Sequence, residues 1–177
     1  MLAYAGRGQS EITSVNLTEL TSDVIDLASP AIPKRVRIQQ QLQDDLPSVA
    51  GDEGQIQQVI MNLLTNASDA MSDRAGDLVV RTGVVRADAE MLARAYLGEA
   101  RAPGLYVFVE VADSGVGIDP AELSRIFDPF FTTKKTTGGT GIGLSNVRQI
   151  VEQWGGHIEA SNTADHGAQF TLRLPVA

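Results

Sequence analysis

The amino-acid sequence predicts an α+β fold: a two-layer α/β sandwich in which helices back one face of a mixed, mostly antiparallel sheet. Strand-like and helix-like segments follow one another without strict alternation, which argues against a doubly wound parallel fold. One long segment, 56–71, carries apolar residues at three- and four-residue steps, as an amphipathic helix does. Another segment, 105–112, is apolar at nearly every residue, which is typical of a strand in the centre of a sheet.

Composition limits the classes of function. The chain has 177 residues, of which 43% are hydrophobic, and these values fit one packed domain. Its 14 Lys and Arg against 22 Asp and Glu give a formal charge of -8, so general binding of nucleic acid is not expected. No apolar run is long enough to span a bilayer, and no basic amphipathic stretch favours contact with a membrane surface.

Cysteine and histidine, which can hold metals or act as nucleophiles, are scarce. There is no cysteine, which excludes disulfides, thiolate metal sites and thiol nucleophiles and suits a cytoplasmic location. The two histidines, His157 and His166, are too few for a multi-histidine zinc site.

Helix boundaries are marked by capping residues. Asn16 can cap a first helix, with Glu19 three residues later, and Pro30 and Pro33 end that helix. Its apolar face is predicted to comprise Leu20, Val24 and Leu27. Asp52 caps the long helix, with Gln55 as its partner.

The remaining elements follow from periodicity and breakers. Strands are predicted at 35–42, 78–85 and 105–112, followed by a terminal antiparallel pair at 157–161 and 169–174. A helix is expected to start at Asp119-Pro120, and an amphipathic helix covers 142–154 before Gly155-Gly156. The polar stretch 86–103 holds a short helix around 89–97 and is interpreted as an inserted surface element, with contact to a partner as the alternative.

Four segments carry residues suited to a nucleotide. On the long helix, Asn62, Asn66 and Asp69 are spaced at i, i+4 and i+7, which is expected to place them in one row opposite the apolar stripe. Amide oxygens are suitable Mg²⁺ ligands when phosphates and waters supply the rest. A solvated helix face commonly carries Asn and Asp as well, so this row alone does not distinguish a nucleotide site from an ordinary surface.

The second segment, Asp113-Ser114-Gly115-Val116-Gly117-Ile118, comes directly after the apolar strand. Its glycines allow backbone to approach a flat ring, and its carboxylate can accept a hydrogen bond from an exocyclic amine. A plain turn with Asp as the turn former is the alternative.

The third and fourth segments flank a glycine-, threonine- and lysine-rich loop. Phe127, Phe130 and Phe131 precede Thr132-Thr133-Lys134-Lys135, and aromatic residues there can anchor the base of a mobile loop. Segment 138–145, Gly-Gly-Thr-Gly-Ile-Gly-Leu-Ser, opens a helix, and such a helix N-terminus can bind an anion. It is neither a Walker P-loop nor a dinucleotide fingerprint, because the spacing and the preceding strand are missing.

The four segments together, in this order, resemble the catalytic ATP-binding domain of bacterial sensor histidine kinases. That family belongs to a superfamily with DNA gyrase, heat-shock chaperone and mismatch-repair ATPases. The resemblance runs from about Leu17 to Pro175 and includes all four family boxes. It implies a Bergerat-type sandwich with ATP held between helices and under a flexible lid.

The resemblance also implies roles for residues. Asn66 would coordinate the Mg²⁺ that bridges the ATP phosphates, Asp113 would accept from the adenine amino group, and Thr171 would support adenine through water. Asn62, Asn66 and Lys134 would form the catalytic set. The remaining residues implied to bind ATP are Asp69, Gly115, Gly117, Ile118, Phe131, Thr132, Thr133, Lys134, Gly139, Thr140, Gly141, Ile142, Gly143 and Leu144.

Asn62 separates kinases from hydrolases in this superfamily. The hydrolysing ATPases carry a Glu general base four residues before the magnesium Asn. An amide has no accessible basic pKa, so Asn62 cannot activate water. Transfer to an acceptor that brings its own nucleophile, an imidazole, stays possible.

The resemblance places the acceptor histidine on a separate dimerisation domain, and neither His157 nor His166 has the family's neighbouring carboxylate. We therefore expect residues 1–15 to be the tail of that helical domain and residues 16–177 to form the catalytic domain. The expected partners are the histidine-bearing domain of the same kinase and the receiver domain of a response regulator.

Two alternatives remain open: a serine kinase of the anti-sigma type, and a non-catalytic nucleotide-binding signalling module. Asp69 also departs from the pattern, because many sensor kinases carry Lys there; Asp favours holding a magnesium-bound water.

Overall fold

The computed structural model describes residues 11–93, 101–132 and 141–177. Within these ranges the chain forms seven strands, four α-helices and one 3₁₀ turn, Ser29–Ala31. In chain order the elements are β1 (Thr13–Val15), α1 (Leu17–Ala28), β2 (Val36–Leu42), β3 (Val49–Gly51), α2 (Glu53–Asp69), β4 (Gly76–Ala87), α3 (Ala89–Ala93), β5 (Gly104–Asp113), α4 (Gly143–Gln153), β6 (His157–Asn162) and β7 (Ala168–Pro175).

The main sheet has five strands in the order β2-β4-β5-β7-β6. Only β2 and β4 pair in parallel, and the other three pairs are antiparallel, which confirms the mixed, mostly antiparallel sheet. The apolar strand β5 lies in the centre, as predicted. β1 and β3 form a separate two-stranded antiparallel sheet. Residues 13–15, which we expected to belong to the tail of a preceding domain, therefore pair with a strand of the expected catalytic domain.

Helices α1, α2 and α4 pack on one face of the sheet and enclose the core. The predicted caps start two of them: the Asn16 side chain accepts from the amides of Thr18 and Glu19, and Asp52 accepts from the amide of Gln55. α2 is the central helix of this layer, and its buried residues are Ile56, Val59, Ile60, Leu63, Leu64, Ala67 and Ser68.

The opposite face of the sheet is polar. Arg81 Nη1 donates to Glu110 Oε1 at 2.6 Å, and Arg173 Nη1 donates to Glu159 Oε2 at 2.9 Å. One apolar cluster interrupts this face, where α3 packs its Leu92 with Ala87 and Tyr106. The described part of the 86–103 stretch therefore covers one end of the sheet.

Two predictions were wrong. Leu27 is 61% exposed, because the buried stripe of α1 includes Thr21, Ile25 and Ala28, which moves its centre away from Leu27. No helix follows Asp119, although its carboxylate accepts from the amide of Ala121. The chain continues in turns in which an amide bonds the carbonyl three residues earlier, as from Arg125 N to Glu122 O and from Asp128 N to Arg125 O. So short a stretch does not repay helix nucleation.

Candidate functional site

The polar row on α2 lies at the border of the core. Asn62 and Asn66 are half-buried and Asp69 is exposed, one helical turn apart from one another, while the neighbouring Leu63 and Ala67 are buried. Within the described ranges, neither asparagine amide hydrogen-bonds another side chain. The amide oxygens are therefore available to a ligand on this side of α2.

Asp113 ends β5 on the same face of the sheet as the buried Val109 and Val111, and it is 5% exposed. Its Oδ1 accepts from Gly115 N at 2.8 Å and from Ala168 N at 3.3 Å. Burial raises the pKa of this carboxyl, and the two backbone donors and the charge of Arg74 offset part of that rise. Among the described residues no donor bonds Asp113 Oδ2, so one oxygen is held and the other can accept from a ligand.

The glycines after Asp113 lie where only glycine fits. A Cβ on Gly115 would be 2.6 Å from the carbonyl oxygen of Ala70, at the end of α2. Gly117 has a φ of 73°, and a Cβ there would be 2.3 Å from His166 O. This loop therefore runs backbone to backbone between the end of α2 and the β6–β7 turn, next to the Asn66 turn of the helix.

The residues that hold this loop from behind were not among the predicted site residues. Asn162 Oδ1 accepts from Ile118 N and Asn162 Nδ2 donates to Ile118 O, both at 2.7 Å. Gly167 approaches Asp113 so closely that a Cβ would be 1.7 Å from its carbonyl oxygen. The only sequence signal was an Asn and a Gly around the predicted turn between the last two strands.

The aromatic cluster divides into three environments. Phe127 is buried against Phe170, with ring centroids 6.2 Å apart at 90°. Phe131 is half-buried, with the Arg125 guanidinium carbon 4.9 Å from its ring centroid. Phe130 is 75% exposed with a φ of 64°, and its amide donates to Gly141 O at 3.1 Å. The backbone segments on the two sides of residues 133–140 therefore meet at this hydrogen bond.

Helix α4 begins without a side-chain cap, with Ile142 in the cap position. Its first residue is Gly143, and no atom of the described residues lies within 4 Å of where a Cβ on it would stand. Leu144 packs partly into the core. Unpaired amides at a helix N-terminus bind anions, and this end carries no acidic side chain in its first turn. The described part of the predicted phosphate-binding segment, residues 141–144, thus lies at the positive pole of this helix.

Not every predicted site residue can be placed on the helix side of the sheet. Thr133, Lys134, Gly139 and Thr140 lie outside the described residues. Thr171 is buried, but it pairs with Glu110 between the core residues Phe170 and Leu172, so it points to the sheet face opposite α2. Asn62, Asn66, Asp113, Gly115, Gly117, Ile118 and the start of α4 are on the helix side.

The histidines differ from a phosphoacceptor in their surroundings. His157 is 6% exposed and stacks edge-on against Tyr106 at 5.8 Å. Burial, reinforced by Arg173, lowers its pKa to about 4, although the Glu159 carboxylate acts in the opposite direction. His166 is exposed in the β6–β7 turn. In the part of the chain that the structure describes, no cluster of three His, Cys, Asp or Glu could hold a metal ion.

Comparison with known proteins decides the family. The model for histidine kinase-, DNA gyrase B- and HSP90-like ATPases matches residues 51–177. The chain belongs to this family. Within it, the chain is 38% identical to the sensor kinase CckA of Brucella abortus (strain 2308) over 99% of the chain. It spans only 18% of that protein, and 15% of the sensor protein TorS of Escherichia coli (strain K12), to which it is 35% identical.

Solved structures of this ATPase family agree with the fold. The catalytic domain of histidine kinase ThkA matches with a TM-score of 0.73 and 30% identity, covering 94% of this chain and 96% of that one. Full-length ShkA in complex with AMPPNP matches at 0.73 and 25% identity, covering 98% of this chain and 33% of ShkA. The complex of ThkA with the response regulator TrrA matches at 0.70 and 27% identity, covering 94% and 42%.

None of the described helices of this ATPase domain is both long enough and apolar enough to cross a bilayer.

Proposed function

We propose that the chain is the ATP-binding catalytic domain of a two-component sensor histidine kinase. It transfers the γ-phosphoryl group of ATP to a histidine on a separate dimerisation domain, from which an aspartate of a response regulator receives it. The observation that carries this proposal is the arrangement around α2: accessible amides on Asn62 and Asn66, with the buried Asp113 next to the end of the same helix. The likeness to sensor kinases supports the same reading.

The base end of the site fits adenine. Asp113 Oδ1 is held by Gly115 N and Ala168 N, which orients the carboxylate and leaves Oδ2 for the exocyclic amine. Guanine presents a carbonyl at that position, which a carboxylate repels. The absence of side chains on Gly115 and Gly117 lets the ring lie against backbone.

The phosphate end fits a triphosphate with Mg²⁺. Asn66 would hold Mg²⁺ through its amide oxygen, which is a suitable ligand when phosphates and waters supply the rest. The first amides of α4 donate to phosphate oxygens, with Gly141, Ile142, Gly143 and Leu144 as the residues that wrap them. When bound, Mg²⁺ would supply charge neutralisation at the phosphates, and Lys134, Thr132 and Thr133 are proposed to act from the lid.

Asn62 directs the reaction toward transfer. It occupies the helical turn before Asn66, where a carboxylate would serve as a base for water. An amide leaves bound ATP without a resident base, so an incoming imidazole, which is its own nucleophile, reacts instead. Because ATP is the substrate, we propose that this domain works in the cytoplasm.

The test is a phosphotransfer assay with γ-labelled ATP, Mg²⁺ and a separately supplied helical domain that carries the acceptor histidine. The expected product is acid-labile, alkali-stable label on that domain, and none on this chain. Acid-stable label on serine would support the anti-sigma type of kinase. ATP binding without any label would support a non-catalytic signalling module, and either result would overturn the proposal.

A further inference from the structure

Asn162, at the end of β6, is bonded to Ile118 through both atoms of its amide. Oδ1 accepts from Ile118 N and Nδ2 donates to Ile118 O, each at 2.7 Å, across 44 residues of sequence. An asparagine amide has one acceptor and one donor group, and here each is used on the two backbone groups of one residue. Such a pair fixes the position and the rotation of the backbone at Ile118.

The same β6–β7 turn holds the other end of the loop. Ala168 N, the first amide of β7, donates to Asp113 Oδ1 at 3.3 Å. Between the two attachments, His166 O and Gly167 lie against the backbone of Gly117 and Asp113, where a Cβ on either glycine would be 2.3 Å or less from a carbonyl oxygen. The segment from Asp113 to Ile118 is therefore held from behind at both of its ends, at Asp113 and at Gly117–Ile118.

We propose that Asn162 is a positioning residue for nucleotide recognition. It fixes the position of the Gly115–Ile118 backbone relative to Asp113. It thereby sets the distance and angle at which a purine ring lying on that backbone meets the carboxylate. The inference rests on the proposed function and adds to it a determinant of adenine selectivity that makes no contact with the ring. A preorganised loop lowers the entropic cost of ordering on binding. When the loop is loosened, the contact that suffers most is the one that depends most on direction, here the proposed hydrogen bond between the purine amine and Asp113.

Substituting the amide separates its two bonds. Asn162→Asp keeps the shape and the acceptor for Ile118 N, but it loses the donor and places a carboxylate oxygen against Ile118 O. Asn162→Ala removes both bonds. Thr163→Ala is the matched control: its hydroxyl accepts from Gly167 N at 3.0 Å within the same turn, but it does not touch Ile118.

The experiment is isothermal titration of the full 177-residue chain with MgATP, MgADP and MgGTP. We expect Asn162→Ala, which loses both bonds, to weaken ATP binding by roughly five- to tenfold, and Asn162→Asp to weaken it as well, through the lost donor and the repulsion at Ile118 O. In each variant ADP should be weakened about as much as ATP, because the defect is at the base and not at the phosphates. GTP affinity should change less, so the preference for ATP over GTP falls. Thr163→Ala should keep the wild-type preference.

The possible failures are distinct. A wild-type chain that binds no ATP overturns the proposed function and this inference with it. Wild-type binding together with unchanged ATP affinity in both Asn162 variants overturns the inference alone. Equal losses for ATP and GTP, or the same loss of preference in Thr163→Ala, would show that the turn supports the fold in general, and would also overturn it.

Discussion

The base end and the phosphate end of the proposed site differ in how many of their hydrogen-bonding groups already have partners within the protein. At the base end, Asp113 Oδ1 and both backbone groups of Ile118 are hydrogen-bonded within the chain. At the phosphate end, α4 starts without a side-chain cap and Gly143 faces open space. We infer that the base end sets selectivity, whereas the donors and the proposed metal ligand at the phosphate end find their partners only when a nucleotide binds. Substitutions at the two ends should therefore fail in different ways.

The largest effect is expected at the metal. Asn66→Ala removes the amide oxygen that we propose as the Mg²⁺ ligand, so the gain in ATP affinity that Mg²⁺ provides should fall by about 10- to 100-fold. Titrations of ATP in Mg²⁺ and in EDTA measure that gain. Thr65→Ala, on the exposed neighbouring position, is the control and should behave like wild type. An unchanged Mg²⁺ effect in Asn66→Ala would remove Asn66 from the site.

A second prediction uses two glycines near the start of α4. Gly143→Ala should weaken ATP by about tenfold, since a methyl group keeps phosphate from the backbone, while stability stays equal or rises by about 0.5–1 kcal/mol from better helix propensity. Gly141→Ala should instead destabilise the fold by about 1–2 kcal/mol, because its φ is 70° and a Cβ would be 2.5 Å from Phe130 C. Urea unfolding and ATP titration of both variants measure these effects; a Gly143 variant with full ATP affinity would contradict this assignment.

At the base end, substituting Asp113 should not lower thermal stability, even though we propose that this residue binds the nucleotide. Burial raises the pKa of Asp113, so the carboxyl favours folding below its ordinary pKa and carries a cost once pH rises above the raised value. Asp113→Asn should therefore unfold at an equal or higher temperature than wild type at pH 7, and this advantage should shrink as the pH falls toward 4. Thermal unfolding at several pH values tests the prediction, and a variant less stable at pH 7 would contradict it.

The smallest effect on nucleotide binding is expected outside both ends. The pKa of His157 is lowered to about 4 by burial, so the folded chain keeps the ring neutral. Its contribution to stability is complete above the ordinary pKa of about 6.5 and is lost as the pH falls from there toward 4. His157→Gln should lose less urea resistance than wild type between pH 7 and 4.5, with unchanged ATP affinity at pH 7. Equal losses in both chains would exclude His157 as the cause.

The sequence predicted the features that depend on local signals. The caps at Asn16 and Asp52, the buried stripe of α2 and the central position of β5 were each encoded within a few consecutive turns or one strand. The turns after Asp119 show the limit of such signals, because a good helix start does not produce a helix without enough following residues.

Long-range contacts at the site could not be predicted in this way. The bonds between Asn162 and Ile118, and between Ala168 and Asp113, depend on strand register across 44 and 55 residues. Register also decides that Thr171 points away from α2, since a shift by one residue would turn it to the helix side. The resemblance to sensor kinases supplied Asn66 and Asp113 as candidates, but not the turn that supports the Asp113 loop from behind.

The central claim is that Asp113 reads the amine of a purine bound against this loop. The most direct measurement is a four-way titration: wild type and Asp113→Asn, each with MgATP and with a purine riboside triphosphate that lacks the 6-amino group. We predict that wild type prefers ATP by about tenfold, or 1.4 kcal/mol, and that Asp113→Asn loses most of that preference. An identical preference in both proteins would show that Asp113 does not accept from the amine, and would contradict the account.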